Sequence, residues 1–310
     1  MSGPVVVTGA AGFAGRHLVE YLAPQHEVVA LARVVPGDQT PGVRWQAADL
    51  LDREAVRNAV RQLRPSAVYH CAGFAYAGGG WADSTRPLAG NVLITHHLFD
   101  ALRLIGGACR VVLPGSSTVY AVSERAHTED DRLAPTNPYA LSKLAQEQLG
   151  LRALAEDGLD VILTRSFNHT GPRQAPAFAA ASMARQIALI ERGELPPIVR
   201  VGNLEARRDL TDVRDVVAAY AALMQRGTPG TLYNVASGTA RPIASVLEGL
   251  AGRSRVKITI EPDPARMRPD DIPVMLGDAS RLRAATGWVP TISFDRMLDD
   301  LLDYWRRRPA

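Results

Sequence analysis

The sequence predicts an α/β fold, in which helices cover both faces of a doubly wound parallel sheet and a smaller α/β substrate-binding domain follows. Two observations predict it. The first 165 residues alternate short apolar runs with helix-like stretches, and this regular alternation loosens after residue 166. Strands and helices that alternate at such spacing form right-handed βαβ units with parallel strands.

Apolar runs rich in β-branched residues predict buried strands, and longer amphipathic runs predict helices. In the first half the predicted strands are 4–8, 27–32, 67–72, 110–115 and 160–165. The predicted helices there are 13–23, 52–63, about 90–105 and 138–157. In the second half we predict helices at about 176–192 and at 216–224, a strand at 231–237, a segment at 241–252, a short strand at 256–261 and a last helix at about 293–307.

The composition is that of an ordinary globular protein, with 46% hydrophobic and 22% charged residues in 310. No apolar run approaches the roughly 18 residues of a membrane span, and no signal peptide is predicted. Cys71 and Cys109 lack metal-ligand spacing, so we expect two buried free thiols, no metal and a cytoplasmic location. The net charge of +3 comes from scattered basic residues, which gives no support to a nucleic-acid partner.

A glycine-rich turn, TGAAGFAG at 8–15, joins the first predicted strand to the first predicted helix. Glycines at such points allow a tight turn and let backbone N–H groups approach a pyrophosphate at the helix N-terminus. In this βαβ context the turn predicts a dinucleotide-binding Rossmann domain. The predicted contacts are Gly9, Ala11, Gly12, Phe13, Ala14 and Gly15.

The end of the second predicted strand bears on the choice of cofactor. Sites that prefer NAD usually keep an acidic residue there for the ribose hydroxyls, whereas this strand ends in ALAR with Arg33 at its tip. An arginine suits a 2′-phosphate, so we expect NADP(H), with NAD(H) as the alternative. Arg33 could equally be an ordinary surface arginine. Asp49 has the position and type to bind the adenine amino group.

Tyr139 and Lys143 are four residues apart on a predicted helix whose start is marked by Asn137 and Pro138, so their side chains share a face. Lys143 is one of only two lysines, against 33 arginines. We expect its ammonium to lower the pKa of the Tyr139 phenol, which then exchanges a proton at a carbinol oxygen. Ser116 ends a strand at the same sheet edge and can hydrogen-bond that oxygen. The alternative is an amphipathic helix whose lysine reaches solvent.

TGAAGFAG, HCAG (70–73), GSSTVY (115–120) and YALSK (139–143) together resemble the extended short-chain dehydrogenase/reductase family over essentially the whole chain. The resemblance implies that Ser116, Tyr139 and Lys143 are catalytic and that Lys143 also binds the nicotinamide ribose. It implies a homodimer formed through the helices near 90–105 and 138–157. The further cofactor contacts that it implies are Leu50, Cys71, Ala72 and Gly73.

Motifs of the second half, among them SFNHTGP (166–172), VGNLEARRD (201–209) and RMRP (266–269), resemble the branch of that family that acts on GDP-mannose derivatives. The substrate contacts implied by this resemblance are Ser117, Thr118, Asn168, Arg208 and Arg268. The arginines suit a diphosphate, because a guanidinium binds phosphate oxygens in pairs. We assign 1–167 with 209–238 to the NAD(P)-binding domain, and 168–208 with 239–310 to the nucleotide-sugar-binding domain.

Thr118 separates two reactions within that branch. The 4,6-dehydratases carry a glutamate base two residues before the strand-end tyrosine, and this chain has Thr118 there. A hydroxyl cannot remove the C5 proton at neutral pH, so dehydration is not expected. Two departures from the family pattern are Ala121, in place of a glycine, and the glycine-rich loop FAYAGGGW at 74–81.

The predicted function is therefore NAD(P)H-dependent reduction of the C4 ketone of a GDP-4-dehydro-6-deoxyhexose. A nucleotide-sugar 4-epimerase, or another nucleotide-sugar enzyme that recycles tightly bound NAD, is the alternative within the family. A dinucleotide sensor without catalysis is an alternative of another class. The intact Ser116, Tyr139 and Lys143 set argues against the sensor.

Overall fold

A computed structural model describes residues 3–75, 81–106, 108–267 and 272–308. Its strands are Val5–Thr8 (β1), Val28–Ala32 (β2), Arg44–Ala47 (β3), Ala67–His70 (β4), Arg110–Ser116 (β5), Asp160–Ser166 (β6), Asn168–Thr170 (β7), Ile198–Val201 (β8), Arg207–Asp212 (β9), Leu232–Val235 (β10), Ala240–Pro242 (β11), Thr259–Pro262 (β12) and Val274–Met275 (β13). Its α-helices are Phe13–Leu22 (α1), Arg53–Leu63 (α2), the single turn Thr85–Pro87 (α3), Ile94–Ile105 (α4), Pro138–Asp157 (α5), Ala179–Glu191 (α6), Val213–Arg226 (α7), Ile243–Ala251 (α8), Ser280–Thr286 (α9) and Phe294–Arg306 (α10).

Seven strands form one parallel sheet in the order β10-β6-β5-β4-β1-β2-β3. Helices α1 and α7 bury apolar side chains on one face of the sheet, and α2, α4 and α5 cover the other. The strand order reverses between β1 and β4, and in open sheets of this kind ligands bind outside the strand carboxyl ends at that point. The predicted fold class, a doubly wound parallel sheet, is confirmed.

Helix α5 positions the catalytic candidates, and local signals account for its length. Asn137 accepts a hydrogen bond from the Ala140 N–H at its start, Pro138 occupies the first turn, and Gly158 ends it in the left-handed conformation. Farther along, Glu147 receives two hydrogen bonds from the buried Arg165 guanidinium of β6, at 2.7 and 3.0 Å. This buried pair fixes the helix against the sheet.

The second half packs around its own apolar cluster, formed by α6, α8 and α10 with strand β8. Short strands connect it to the sheet, because β9 pairs with β7, β11 and β13 and leads directly into α7. The register places Asn168 opposite Leu210. The predicted division into two domains stays a prediction.

Several details differ from the prediction, and the short elements β7, β8, β9, β11, β13 and α9 were not predicted. The strand predicted at 67–72 ends at His70, so Cys71 and Ala72 lie beyond it, and β5 runs on through Ser116. Strand β3 was not predicted, because its alternating side chains are only partly buried. The helix predicted from about residue 90 is preceded by α3 and a π-helical segment at Leu88–Leu93. Within the described residues, none of the helices is long and apolar enough to cross a membrane.

Candidate active site

A cleft of about 550 Å³ opens at the carboxyl edge of the sheet, between the sheet and the second half of the chain. One wall comes from the ends of β4 and β5 and the start of α5. The opposite wall comes from β7, β9, α6 and α8. The residues predicted to act in catalysis or to contact substrate that line it are Ser116, Ser117, Thr118, Tyr139, Lys143, Asn168 and Arg208.

The glycine turn is shaped by close backbone approaches. Gly9 has φ +63°, and a β-carbon there would lie 2.6 Å from the Ala72 Cα. A β-carbon on Gly15 would lie 2.2 Å from the Gly9 carbonyl oxygen, which also accepts a 2.8 Å hydrogen bond from the Gly12 N–H. The turn therefore needs glycine at these points, and its exposed backbone leaves room for a pyrophosphate at the start of α1. These residues fit a dinucleotide.

Two predicted contacts for the adenosine end, Arg33 and Asp49, follow β2 and β3. Arg33 is exposed, as are Ala11 and Gly12 of the glycine turn. The Asp49 carboxylate is exposed and accepts a 3.0 Å hydrogen bond from the Leu51 N–H, while Leu50 is buried. Their roles toward a nucleotide stay predictions, whereas Phe13, Ala14, Ala72 and Gly73 line the cleft itself.

Ser116, Thr118 and Tyr139 form a group of hydroxyls in the cleft. The Ser116 Oγ lies 2.9 Å from the Thr118 Oγ1 and accepts a 3.3 Å hydrogen bond from the Thr118 N–H. Desolvation in the cleft raises the pKa of the Tyr139 phenol, and a hydrogen bond with Ser116 opposes that rise. The phenol is thus protonated at neutral pH and can act as an acid.

The expectation that Lys143 lowers the pKa of Tyr139 is wrong for this structure. The Lys143 Nζ donates instead to the Pro114 carbonyl oxygen at 2.8 Å and to the Gln146 Oε1 at 2.6 Å. Desolvation lowers the pKa of Lys143 to about 8, with a smaller opposing effect of Cys71. The sequence placed both groups on one face of α5 but could not show where the ammonium is held.

Cys71 follows β4 and lines the cleft, only half buried where full burial was expected. Desolvation raises the pKa of its thiol to about 12, so it is neutral and a poor base. Cys109 is buried, and both thiols are free.

The substrate side of the cleft carries Asn168 on β7 and Arg208 on β9. Arg208 donates from Nη1 to the Ile272 carbonyl oxygen at 2.6 Å and to the Arg207 carbonyl oxygen at 3.0 Å. Arg268 and positions 76–80 of the glycine-rich loop lie outside the described residues.

His169 lies beside the glycine turn. Its ring stacks on that of Phe13, with centroids 5.8 Å apart and planes 6° apart, and its Nδ1 donates to the Phe167 carbonyl oxygen at 3.0 Å. Desolvation lowers the pKa of His169, so the imidazole is neutral. It packs β7 against the start of α1, beside the glycine turn.

Several buried polar residues behind the cleft escaped prediction. Asn91 is fully buried, accepts from the Phe74 N–H at 2.9 Å and donates to the Ser142 Oγ at 2.8 Å, so it holds the loop after β4. Gln146, Thr95 and His70 form a connected set behind Lys143. For His70 and Asn91, a polar residue within an otherwise apolar run was the available signal, whereas Gln146 lies in the polar stretch QEQ at 146–148 and gives no such signal.

Comparison with known proteins gives concordant results. The profile of the GDP-mannose 4,6 dehydratase family matches residues 6–301. The GDP-6-deoxy-D-mannose reductase of Pseudomonas aeruginosa is 37% identical over 311 residues, covering 99% of each chain. The structure of RMD from Pseudomonas aeruginosa complexed with NADPH has a TM-score of 0.86 and 35% identity over 98% of this chain and 99% of that one. A UDP-glucose 4-epimerase of Thermus thermophilus in complex with NAD has a TM-score of 0.87 and 29% identity, covering 98% and 99%.

The parallel sheet, the glycine turn and the cleft with serine, tyrosine and lysine define an extended short-chain dehydrogenase/reductase. Within that class the chain belongs to the GDP-mannose 4,6 dehydratase family. The family expected from the sequence motifs is confirmed.

Proposed function

We propose that the protein uses NADPH to reduce the C4 ketone of a GDP-4-dehydro-6-deoxyhexose, converting GDP-4-dehydro-6-deoxy-D-mannose to GDP-D-rhamnose. The full-length similarity to a GDP-6-deoxy-D-mannose reductase supports this substrate class. The similarity to a structure complexed with NADPH, together with Arg33 at the tip of β2, supports the cofactor.

The content of the cleft carries the proposal. Its described lining contains Ser116, Thr118, Tyr139 and Lys143 but no aspartate or glutamate. Removal of a C5 proton needs a base of suitable pKa. Among the described lining residues, burial raises the pKa of the Cys71 thiol and lowers the pKa values of the His70 and His169 imidazoles, so the thiol stays protonated and the imidazoles are weak bases. Protonation of an alkoxide needs only an acid, which Tyr139 provides. The lining therefore favours ketone reduction over dehydration.

When bound, NADPH supplies the hydride that C4 receives. Ser116 donates a hydrogen bond to the ketone oxygen, and Thr118, 2.9 Å from Ser116, orients that hydroxyl. The Tyr139 phenol gives its proton to the oxygen as the C4–H bond forms, which yields the carbinol and a phenolate. Lys143 keeps a positive charge in the same cleft below about pH 8, where the family resemblance has it bind the nicotinamide ribose, and solvent returns a proton to the phenolate.

The test is a reaction of the purified protein with GDP-4-dehydro-6-deoxy-D-mannose and NADPH, followed by absorbance and by NMR of the sugar. We expect one NADPH consumed per ketone reduced, and Tyr139→Phe to lower kcat by about 10²- to 10⁴-fold. Tyr304→Phe, on α10 away from the cleft, is the matched control and should behave as wild type.

Interconversion of sugars without net oxidation of NADPH would reject the reductase in favour of the epimerase alternative. Equal rates for wild type and Tyr139→Phe would reject the catalytic assignment.

A homodimer and a cytoplasmic location belong to the same proposal. Leu88, Leu93 and Leu141 are exposed on the helical surface that includes α4 and α5, the helices expected at the dimer interface. Light scattering should give twice the chain mass, and Leu141→Arg should lower it toward the monomer. A monomeric wild type at micromolar concentration would reject the dimer.

A further inference from the structure

A chain of buried hydrogen bonds runs behind the catalytic candidate Lys143. Gln146, one turn further along α5, accepts from the Lys143 Nζ through Oε1 at 2.6 Å and is only 1% exposed. Its Nε2 donates to the Thr95 Oγ1 of α4 at 2.7 Å. The amide thus holds the ammonium with one end and is itself held by the other.

The chain continues into the sheet. The Thr95 hydroxyl donates to the Asn91 carbonyl oxygen at 2.7 Å, so its oxygen is left to accept from both Gln146 and the His70 Nε2, the latter at 3.0 Å. His70 therefore carries its proton on Nε2, and its Nδ1 accepts from the Thr8 Oγ1 at 2.8 Å. Thr8 accepts in turn from the Ala72 N–H at 3.2 Å.

In this arrangement each of these side chains has a hydrogen-bond partner, and at each hydrogen bond the donor and the acceptor are determined. Thr8, His70 and Thr95 are no more than 1% exposed, so no water competes for their hydrogen bonds. If the Gln146 amide rotated by half a turn, its NH₂ would face the Lys143 ammonium and its oxygen would face the Thr95 oxygen, whose proton already goes to Asn91. One orientation of the amide is therefore strongly preferred.

We propose that Gln146 is a positioning residue for Lys143, and that its amide, oriented through Thr95 and His70 by the end of β1, fixes the ammonium beneath the reacting atoms. This inference rests on the proposed function for the role of Lys143 in catalysis. Thr8 immediately precedes the glycine turn, so the same chain ties the position of the lysine to the strand that carries the cofactor loop.

The acceptor is a neutral amide, and this has a chemical consequence. A carboxylate at position 146 would raise the pKa of Lys143, whereas an apolar side chain would leave the ammonium with a weaker set of acceptors and lower it. His70 has its pKa lowered to about 3 by burial, so it adds no charge. The titratable groups that face this region from the packed elements are His70, Cys71, Tyr139 and Tyr220.

The test exploits the lysine content of the chain. With carbon-13 at the lysine ε-carbons, the protein gives two such signals, from Lys143 and the exposed Lys257, and Lys257→Arg assigns them. We expect the Lys143 signal to titrate near pH 8 in wild type, about one pH unit lower in Gln146→Leu and about one higher in Gln146→Glu. Gln62→Leu, on the exposed face of α2, should leave the titration unchanged.

Activity supplies a second measurement. Gln146→Leu should lower kcat by about tenfold or more while KM for the ketosugar changes by less than about threefold, and the alkaline limb of the pH profile should move with the lysine midpoint. Thr95→Val keeps the shape of the side chain and removes the hydroxyl, so it should shift the midpoint in the same direction by a smaller amount. Thr95→Val also provides the test if Gln146→Leu does not fold.

An unmoved Lys143 midpoint in Gln146→Leu and in Thr95→Val would overturn the inference, and so would a lower melting temperature with an unchanged pH profile. The titration needs no substrate. A wrong assignment of the reaction would therefore leave the NMR result intact, and the failure of one proposal can be distinguished from failure of the other.

Discussion

The two walls of the cleft are built in different ways. On the catalytic wall, hydrogen bonds to backbone or buried side chains fix the polar groups, as in Lys143 on the Pro114 carbonyl oxygen and Ser116 beside Thr118. The substrate wall combines the polar residues of β7 with a larger apolar surface, and its described lining contains one arginine, Arg208. Its apolar lining residues include Leu210, Ile243, Val246, Ile272 and Met275.

This difference predicts how substitutions on each wall affect kcat and KM. A hydrogen-bonded wall loses its geometry when one member is removed, because the remaining polar groups are left without partners. An apolar wall presents shape, and Arg208, the one cation in its described lining, supplies binding energy that is similar in the ground and transition states. Changes on the catalytic wall should lower kcat, and those on the substrate wall should raise KM.

The largest effect on cofactor binding is expected where the backbone itself is closest, in the glycine turn. Gly15→Ala places a β-carbon 2.2 Å from the Gly9 carbonyl oxygen, so the turn must move away from the position that accommodates a pyrophosphate. NADPH affinity, measured by fluorescence titration, should fall by about 100-fold or more. Gly37→Ala meets no atom within 4 Å and is the control. Wild-type affinity in Gly15→Ala would show that the turn does not bind the cofactor as proposed.

On the catalytic wall, the change at Ser116 is expected to lower kcat. Ser116→Ala removes a hydrogen-bond donor to the ketone oxygen, and loss of such a donor costs about 10²-fold in kcat. Thr118→Val alone should cost less. Because the two hydroxyls are 2.9 Å apart, the Thr118 hydroxyl can partly replace the missing donor, so the double variant should lose more than the two single losses combined. Strictly additive losses, measured by steady-state kinetics, would mean that the hydroxyls act independently.

The two walls also differ in how far the sequence predicted them. Helix α5 was predicted with its observed bounds, because local signals such as Asn137 and Pro138 act on neighbouring backbone groups. The strands of the other wall are as short as Val274–Met275 and pair with partners far along the chain, as Asn168 does with Leu210. Such short segments carry no periodicity, and the sequence predicted none of β7, β9, β11 and β13.

Residue type and spacing predicted which side chains lie on the catalytic wall, but they did not predict the hydrogen-bond partners or the pKa values of those side chains. The four-residue spacing of Tyr139 and Lys143 brought both to the cleft. The partners of the ammonium, the Pro114 carbonyl oxygen and Gln146, depend on how α5 packs on β5 and α4, and spacing along one helix does not contain that information. Hence the expected lowering of the Tyr139 pKa was wrong.

On the substrate wall, Arg208→Met should raise KM for the ketosugar about tenfold while kcat changes by less than about threefold, because a guanidinium on a diphosphate binds substrate and transition state alike. Arg208→Lys should recover only part of the loss, since lysine lacks the planar fork. Arg207→Met, at the neighbouring and exposed position of β9, is the matched control. A fall in kcat with unchanged KM would place Arg208 with the catalytic wall instead.

The smallest effect is expected at Arg33, outside both walls. This exposed residue follows β2, where the 2′-phosphate of NADPH would lie, and an exposed arginine contributes a screened interaction. Arg33→Ala should raise KM for NADPH about five- to tenfold and leave that for NADH unchanged, because only the former carries the phosphate. Raising the salt concentration should weaken NADPH binding in wild type more than in the variant. Arg44→Ala, exposed on β3, controls for a general loss of positive charge. Equal losses with both cofactors would mean that Arg33 supports the adenosine end as a whole and does not select between them.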